Sequence, residues 1–483
     1  MVRLLLLMLL LQNMLLAQLK IGSKKFTESV ILGEIALQLA HTAEIPAIHR
    51  RELGGTRILW QALLNGDIDV YPEYTGTLLY EILAAKHIPG TDSLKAWLKT
   101  LGIGISGYLG FNNTYVLGVT PQTAERLHLE KISDLSRYPA LRFGFSNEFI
   151  NRADGWPALR SAYRLQKERD VRGLDHDLAY RGLVSGDLDV IEFYSTDAEI
   201  SYYHLVALRD DLYHFPEYQA LYLYRLDAAG RFPALRARLA LAANQIDARR
   251  MSAMNAAVKI GHQPAARVAA GFVARLTGIE TKTEEKNWVQ RFLQRTGEHL
   301  FLVFISMFFA VLIALPLGVI AAFHEKTGGI ILGVTGVLQT IPSLALLVFM
   351  IPLLGIGEKP AIMALFLYSL LPIVRNTESG LMDIPQGIRD SAEVIGLSPA
   401  ARLFHIYLPL ASRSILGGIK TATVINIGTA TLGALIGAGG YGQPILTGIR
   451  LDDMGLILEG AVPAALLALT AQWVLGRLER KIG

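Results

Sequence analysis

Residues 300–323 read LFLVFISMFFAVLIALPLGVIAAF, a run without a single charge. It exceeds the roughly 20 apolar residues that cross a hydrocarbon core, so this part of the chain folds in a membrane. Toward the C-terminus, uncharged stretches recur at 327–357, 360–374, 421–449 and 460–476, each bounded by charge. The stretch 360–374 is short for a crossing. Together they predict an all-α membrane domain of about five transmembrane helices. With the first helix entering from outside, Lys326, Arg375, Arg389, Arg402, Arg477 and Arg480 fall on the cytoplasmic side, where basic residues collect. The crossings hold almost no ionisable residue, so a proton-coupled secondary carrier lacks its usual relay and energy enters elsewhere.

Outward from the membrane the composition changes. The chain has 483 residues, 46 Lys+Arg and 42 Asp+Glu, for a formal charge of +4. From Glu298 to Gly483 there are 11 Lys/Arg and 11 Asp/Glu in 186 residues, while the preceding 297 residues hold 35 and 31. The first part has soluble-domain composition. High apolar content and small net charge exclude disorder, and no concentrated basic run suggests nucleic acid. With no cysteine, disulfides, thiolate zinc and thiol catalysis are impossible. The 11 histidines show no metal spacing. No G-x-x-x-x-G-K-[ST] phosphate loop occurs, so this chain does not cradle ATP in the usual way, and no nucleophile or acid–base pair points to an enzyme. The Gly-rich run from Gly433 to Gly442 reads as close packing and a tight turn.

Residues 1–17 read as an export signal: Arg3, an apolar core, and a cleavage point at Ala17-Gln18. Leu15 at the minus-three position is not small, so a cleaved signal peptide and a retained anchor both stay open. Residues 18–276 form an exported α/β domain, 277–297 a linker or elbow helix, and 298–483 the membrane domain. Within 277–297, Trp288 to Gln294 is amphipathic and suits the outer membrane surface.

The exported domain carries an internal echo. Residues 62–75, ALLNGDIDVYPEYT, align without gaps to 182–195, GLVSGDLDVIEFYS, with six of fourteen positions identical. In each copy a helix ends at Gly-Asp, a buried strand follows, and a Tyr-hydroxyl pair closes the strand. Ligands gather at the carboxyl ends of strands in open α/β sheets, so Tyr74 and Tyr194 are expected to face one cleft from two lobes. Asp67, Asp69, Asp187 and Asp189 suit turn chemistry, and Asp175-His176-Asp177 suits the capping of a helix start.

In the membrane half, Asp390-Ser391-Ala392-Glu393-Val394-Ile395-Gly396 is followed nine residues on by Ile406-Tyr407-Leu408-Pro409. This segment, 390–409, resembles the EAA loop of ABC importer permeases, with Asp for Glu and Ser for Ala at its start. A short amphipathic helix closed by Gly396 makes a rigid knob. The resemblance implies that the knob, with Asp390, Ala392 and Gly396, docks into a separate ATP-hydrolysing subunit.

In the exported half, Gly22-Ser23-Lys24-Lys25-Phe26-Thr27-Glu28, Tyr71-Pro72-Glu73-Tyr74-Thr75-Gly76-Thr77, Asn113-Thr114-Tyr115 and Tyr194-Ser195-Thr196-Asp197 resemble the substrate-binding proteins for glycine betaine, choline and carnitine. The resemblance covers nearly the whole chain and implies a receptor fused ahead of its permease. A quaternary ammonium donates no hydrogen bond and is recognised by electron-rich ring faces. The family builds that cage from tyrosines, which the resemblance carries to Tyr74, Tyr115, Tyr194 and Tyr218, the last in a segment lacking one of the family's prolines. It carries the ligand carboxylate to Arg152, assisted by Lys24 and Thr77; Arg152 is otherwise an ion-pair partner of Asp154, and Lys25 stands as near as Lys24. The chain is thus expected to be the receptor-plus-permease subunit of an importer for a quaternary amine (glycine betaine, proline betaine, carnitine, choline or ergothioneine), two copies forming the pore. A tethered sensor without transport, and an importer of another small polar solute, are the alternatives.

Overall fold

The strand Leu19–Gly22 (β1) follows the first described residue and lies between two parallel neighbours, Ala47–Arg50 (β2) and Val70–Tyr74 (β3). The computed structural model describes residues 18–86, 88, 90–166, 170–281 and 287–482. The export signal expected at 1–17 lies outside them. The described residues fall into two compact units, one made of residues up to 281 together with Arg450–Asp452 and the other of the rest from 287 onward.

The first unit is built on two five-stranded sheets of the same pattern. Ile103–Ile105 (β4) and Ala220–Arg225 (β10) complete the first, in the order β2-β1-β3-β10-β4. The second, β7-β6-β8-β5-β9, is made of Tyr115–Val119 (β5), Phe143–Ser146 (β6), Val171–Leu174 (β7), Val190–Tyr194 (β8) and Val206–Leu208 (β9). In both, three parallel strands are followed by an antiparallel one. Val70, Tyr71, Leu221 and Leu223 are completely buried, as strands covered on both faces require. The chain passes from the first sheet to the second between β4 and β5 and returns between β9 and β10; these two passages touch at an Asn112–Gln219 bridge. That is an α/β fold of two lobes joined by two crossings.

The echo at 62–75 and 182–195 maps onto equivalent places. Helix Thr56–Asn65 (α2) leads to β3, and His176–Val184 (α3) leads to β8. Gly66 and Gly186 turn the chain with φ of +78° and +81°, a region that favours glycine. The aspartates then hold the neighbouring strand: Asp69 accepts from the Lys20 amide at 2.8 Å, and Asp189 from the Arg142 amide at 2.9 Å. Helix Thr27–His41 (α1) precedes α2 and is buried along most of its length; Ala248–Lys259 (α4) and Ala265–Thr277 (α5) pack against it.

The second unit is helical. Trp288–Phe323 (α6), Glu358–Met382 (α9), 399–436 and Met454–Ile482 (α13) contain the four spans long and apolar enough to cross a membrane. The stretch 327–357, expected as one crossing, consists of two helices, Glu325–Thr340 (α7) and Ser343–Leu354 (α8), that are apolar enough together to cross a membrane and are bent by 99° at their break. The break falls at Ile341-Pro342, because a residue before proline is driven out of the helical region and Ile341 has ψ of 126°. Residues 288–294, expected as an elbow, are the first turns of α6 itself. Helix Leu408–Ala430 (α11) carries the crossing expected at 421–449; it begins earlier, and its Lys420 pairs with Glu479 of α13. After a 3-10 turn the Gly-rich run bends at Gly437, Gly439 and Gly440, all with positive φ, and Gly442–Leu451 (α12) follows.

Helices α6, α9 and α11 approach until a side chain no longer fits. A Cβ on Gly318 would meet Thr377 at 2.5 Å, and one on Gly418 would meet the Pro372 carbonyl at 2.7 Å, the small-residue contact by which helices associate in lipid. At the same seam Asn426 donates to Ser306 at 3.0 Å and Ser369 at 2.9 Å, joining all three helices. Between α9 and α11, Gln386–Val394 (α10) forms the expected amphipathic helix, and Gly396 follows with φ of +79°.

Candidate functional site

Where the two sheets of the first unit face each other, loops after β1, β3, β6 and β8 surround a cavity of about 120 Å³. Its wall contains Lys24, Tyr74, Thr77, Tyr115, Arg152, Tyr194 and Tyr218, together with Phe26, Asn113, Glu148 and His176. All seven residues expected from the sequence therefore stand around one cavity, from both lobes.

The rings form a connected wall. Tyr115 packs against Tyr194 at 5.3 Å and edge-on against Tyr218 at 5.6 Å. Phe26 lies 6.4 Å from Tyr74 and 5.6 Å from Tyr194. Burial pushes the Tyr74, Tyr115 and Tyr194 hydroxyls well above their ordinary values, so they stay neutral. Tyr218 packs against Gly76, where a Cβ would come within 2.5 Å of its ring. That contact gives a physical reason for the glycine in Tyr74-Thr75-Gly76-Thr77.

The charged groups are held as well. The Arg152 guanidinium is 3% exposed, grips Asp154 through Nε and Nη2 at 2.8 and 2.7 Å, and spans the Tyr115 and Tyr218 rings at 5.4 and 5.9 Å. The ion pair and the cavity position, set against each other in the sequence, coexist. Lys24 is bound to buried Glu73 at 2.6 Å and sits 5.6 Å from the Tyr74 ring, so its charge is already met. Lys25 points to Asp175 at 2.6 Å.

Sequence reasoning missed His176. Asp175 does cap α3, accepting from the Asp177 amide, but His176 itself stacks on Tyr194 at 4.6 Å and meets Asp197 at 2.9 Å. Burial pulls its imidazole down, yet Asp197 and Glu192 outweigh burial and hold it well above its ordinary value. Glu28 was also missed: its carboxylate lies behind the wall and accepts from the Tyr74 hydroxyl at 2.5 Å. Its place inside the Lys-Phe-Thr-Glu segment was the only available signal. No group of three or more metal-ligating side chains occurs among the described residues.

Comparison with known proteins points the same way in both halves. Residues 17–275 match the family described as the substrate binding domain of ABC-type glycine betaine transport system, and 314–483 match the binding-protein-dependent transport system inner membrane component. The choline transport system permease protein OpuBB of Bacillus subtilis (strain 168) is 44% identical over 190 residues, covering 39% of this chain and 88% of that protein. The osmoprotectant import permease protein OsmW of Salmonella typhimurium is 44% identical over 189 residues, 38% of this chain and 88% of that protein. A crystal structure of a glycine betaine/carnitine/choline ABC transporter is 28% identical, covers 53% of this chain and 98% of its own, and has a TM-score of 0.45.

Proposed function

Because the chain belongs to the glycine betaine/carnitine/choline-type ABC importer family, as a substrate-binding domain and permease in one subunit, we propose that its cavity cages the ammonium of a betaine-type solute. The subunit binds and transports a quaternary-ammonium osmoprotectant. It is a multi-pass inner-membrane protein with its binding domain on the extracytoplasmic face, and it works with a cognate ATPase.

The observation that carries the cage reading is the ring wall: four tyrosines from two lobes around one small cavity. Tyr74, Tyr115, Tyr194 and Tyr218 surround the ammonium, each contributing about 0.5–2 kcal/mol. Arg152 takes the ligand carboxylate, for which a guanidinium offers paired donors, with Lys24 and Thr77 alongside. Since both lobes supply walls, bound solute favours their approach. Residues 18–276 act as receptor and 298–483 as permease. The segment around Asp390, Ala392 and Gly396 engages the ATPase, and two copies of the chain form the pore.

Calorimetric titration of the full chain in lipid nanodiscs with glycine betaine, choline, carnitine and ergothioneine tests the cage, with glutamine as a control lacking a quaternary nitrogen. Saturable binding of a quaternary amine, weakened in Tyr74→Ala and Tyr194→Ala proteins, is expected. Binding of glutamine alone refutes the cage.

A further inference from the structure

Behind the cavity wall lies a carboxylate with four donors and no cation. Glu28 Oε1 accepts from the Tyr74 hydroxyl at 2.5 Å and from the Asn113 amide at 2.8 Å. Its Oε2 accepts from the Thr196 hydroxyl at 2.5 Å and the Asn255 amide at 3.2 Å. An ionised carboxylate has about four acceptor positions, and all four are used. Both asparagines leave their own carbonyl oxygens buried without a partner; the Asn113 amide donates to Glu28, and the Asn255 amide donates both to Glu28 and to the Thr196 carbonyl at 3.0 Å. No Lys, Arg or His forms an ion pair with it among the described residues.

The four partners come from different parts of the first unit. Tyr74 ends β3 in the first lobe, Thr196 follows β8 in the second, Asn113 lies on a crossing between them, and Asn255 belongs to α4. Tyr74 and Asn113 also line the cavity, so Glu28 stands one side chain behind it. Glu28 is in the first turn of α1, where the helix dipole favours an anion.

We propose that Glu28 is the positioning residue of the cage: its ionised carboxylate fixes the Tyr74 ring and ties it to the second lobe, and a bound quaternary ammonium supplies the missing positive charge. This rests on the cage reading above. Ligand binding then favours the ionised form, and any proton on Glu28 passes to solvent. Burial lifts Glu28 to about 7 against the hydrogen bonds from Thr196, Tyr74 and Asn255, and Asp197 adds to the rise. The other charges nearby have their own partners. Lys24, before α1, is held by Glu73; Lys259 of α4 is held by Asp177 and Glu199; His176 of α3 is held by Asp197; Glu34, farther along α1, is held by His49 and Arg51.

The test is titration of the full chain in nanodiscs with choline and with glycine betaine, at pH 5.5, 6.5 and 8, in two buffers of different ionisation enthalpy. Expected is proton release on binding, centred near pH 7, with affinity about tenfold weaker at pH 5.5 than at pH 8. In Glu28→Gln the release disappears and the pH profile flattens, because a carboxamide neither ionises nor accepts four donors. In Tyr74→Phe, which removes one donor, the midpoint moves upward; this second variant serves if the first does not fold. Binding without proton release, or release unchanged in the variants, overturns the role of Glu28 and leaves the cage standing. Binding of neither ligand at any pH overturns the cage and this inference with it.

Discussion

Tyr74 and Tyr194 close equivalent strands of the two sheets, and the single ring of Phe26 touches both, at 6.4 and 5.6 Å. A residue from the β1–α1 loop thus bridges the paired positions of the internal echo. The two tyrosines differ in what lies behind them: Glu28 holds the Tyr74 hydroxyl, while His176 backs the Tyr194 ring. Removing either ring forfeits about 0.5–2 kcal/mol of cation–ring attraction, so Tyr74→Ala and Tyr194→Ala are each expected to weaken glycine betaine binding about 2- to 30-fold. Tyr194→Phe keeps the ring and is expected to stay within about threefold of the parent. Calorimetry on the three variants reads all of these.

The carboxylate role proposed for Arg152 predicts that betaines and choline respond differently to its loss. Hydrogen bonds to charged groups contribute about 1.5–3 kcal/mol, so Arg152→Ala is expected to cost glycine betaine roughly 10- to 100-fold in affinity while choline, which has no carboxylate, changes little. The substitution also leaves buried Asp154 with the Tyr218 hydroxyl alone, so Tm falls as well. Equal losses for both ligands would remove the carboxylate role.

Gly76 is a specific point of failure. A methyl group there would stand 2.5 to 2.9 Å from three Tyr218 ring atoms, closer than side chains pack. Gly76→Ala is expected to displace Tyr218 and weaken ligand binding about tenfold, within the range of one lost ring contact, and to lower Tm through overpacking of about 1–3 kcal/mol. A parent-like affinity would show that Tyr218 is not a cage wall.

The echo made the two lobes legible because helix, glycine turn and strand are local patterns, repeated 120 residues apart. Of the seven cavity residues, Tyr74 and Tyr194 were legible from the echo as well, and the other five only through the motif resemblance. Glu28 was not, since its four donors lie 46, 85, 168 and 227 positions away and meet only after both sheets have formed. His176 was hidden by its own capping neighbours for the same reason. In the membrane unit, hydropathy finds apolar length but not direction, so the bend at Pro342 and the early start of α11 escaped it.

Acid–base linkage gives a stability prediction. Glu28 rises from 4.5 to about 7 in the fold, so between those values the folded domain holds a proton that the unfolded chain has released. Its contribution is full below about pH 4.5 and is lost as pH rises through 7, an effect on the order of 3 kcal/mol at most. Thermal unfolding of the full chain without added ligand should show Tm dropping more steeply between pH 5 and 8 in the parent than in Glu28→Gln. Parallel slopes would show that Glu28 does not titrate in this range.

The proposed coupling segment offers a way to test transport apart from binding. In α10, Ala392 is buried against its own chain, whereas Val394 and Ile395 are 87% and 74% exposed. Two large apolar side chains next to a glycine turn invite a partner surface, and the ATPase is the partner proposed for it. A carboxylate at such a contact would be desolvated without a counter-charge. Val394→Asp and Ile395→Asp are therefore expected to reduce solute uptake in reconstituted vesicles at least tenfold, with glycine betaine affinity of the receptor unchanged. Gly396→Val, forced to a φ of +79°, should act in the same direction by misplacing the knob. Full uptake in the aspartate variants would place the ATPase contact elsewhere on the permease.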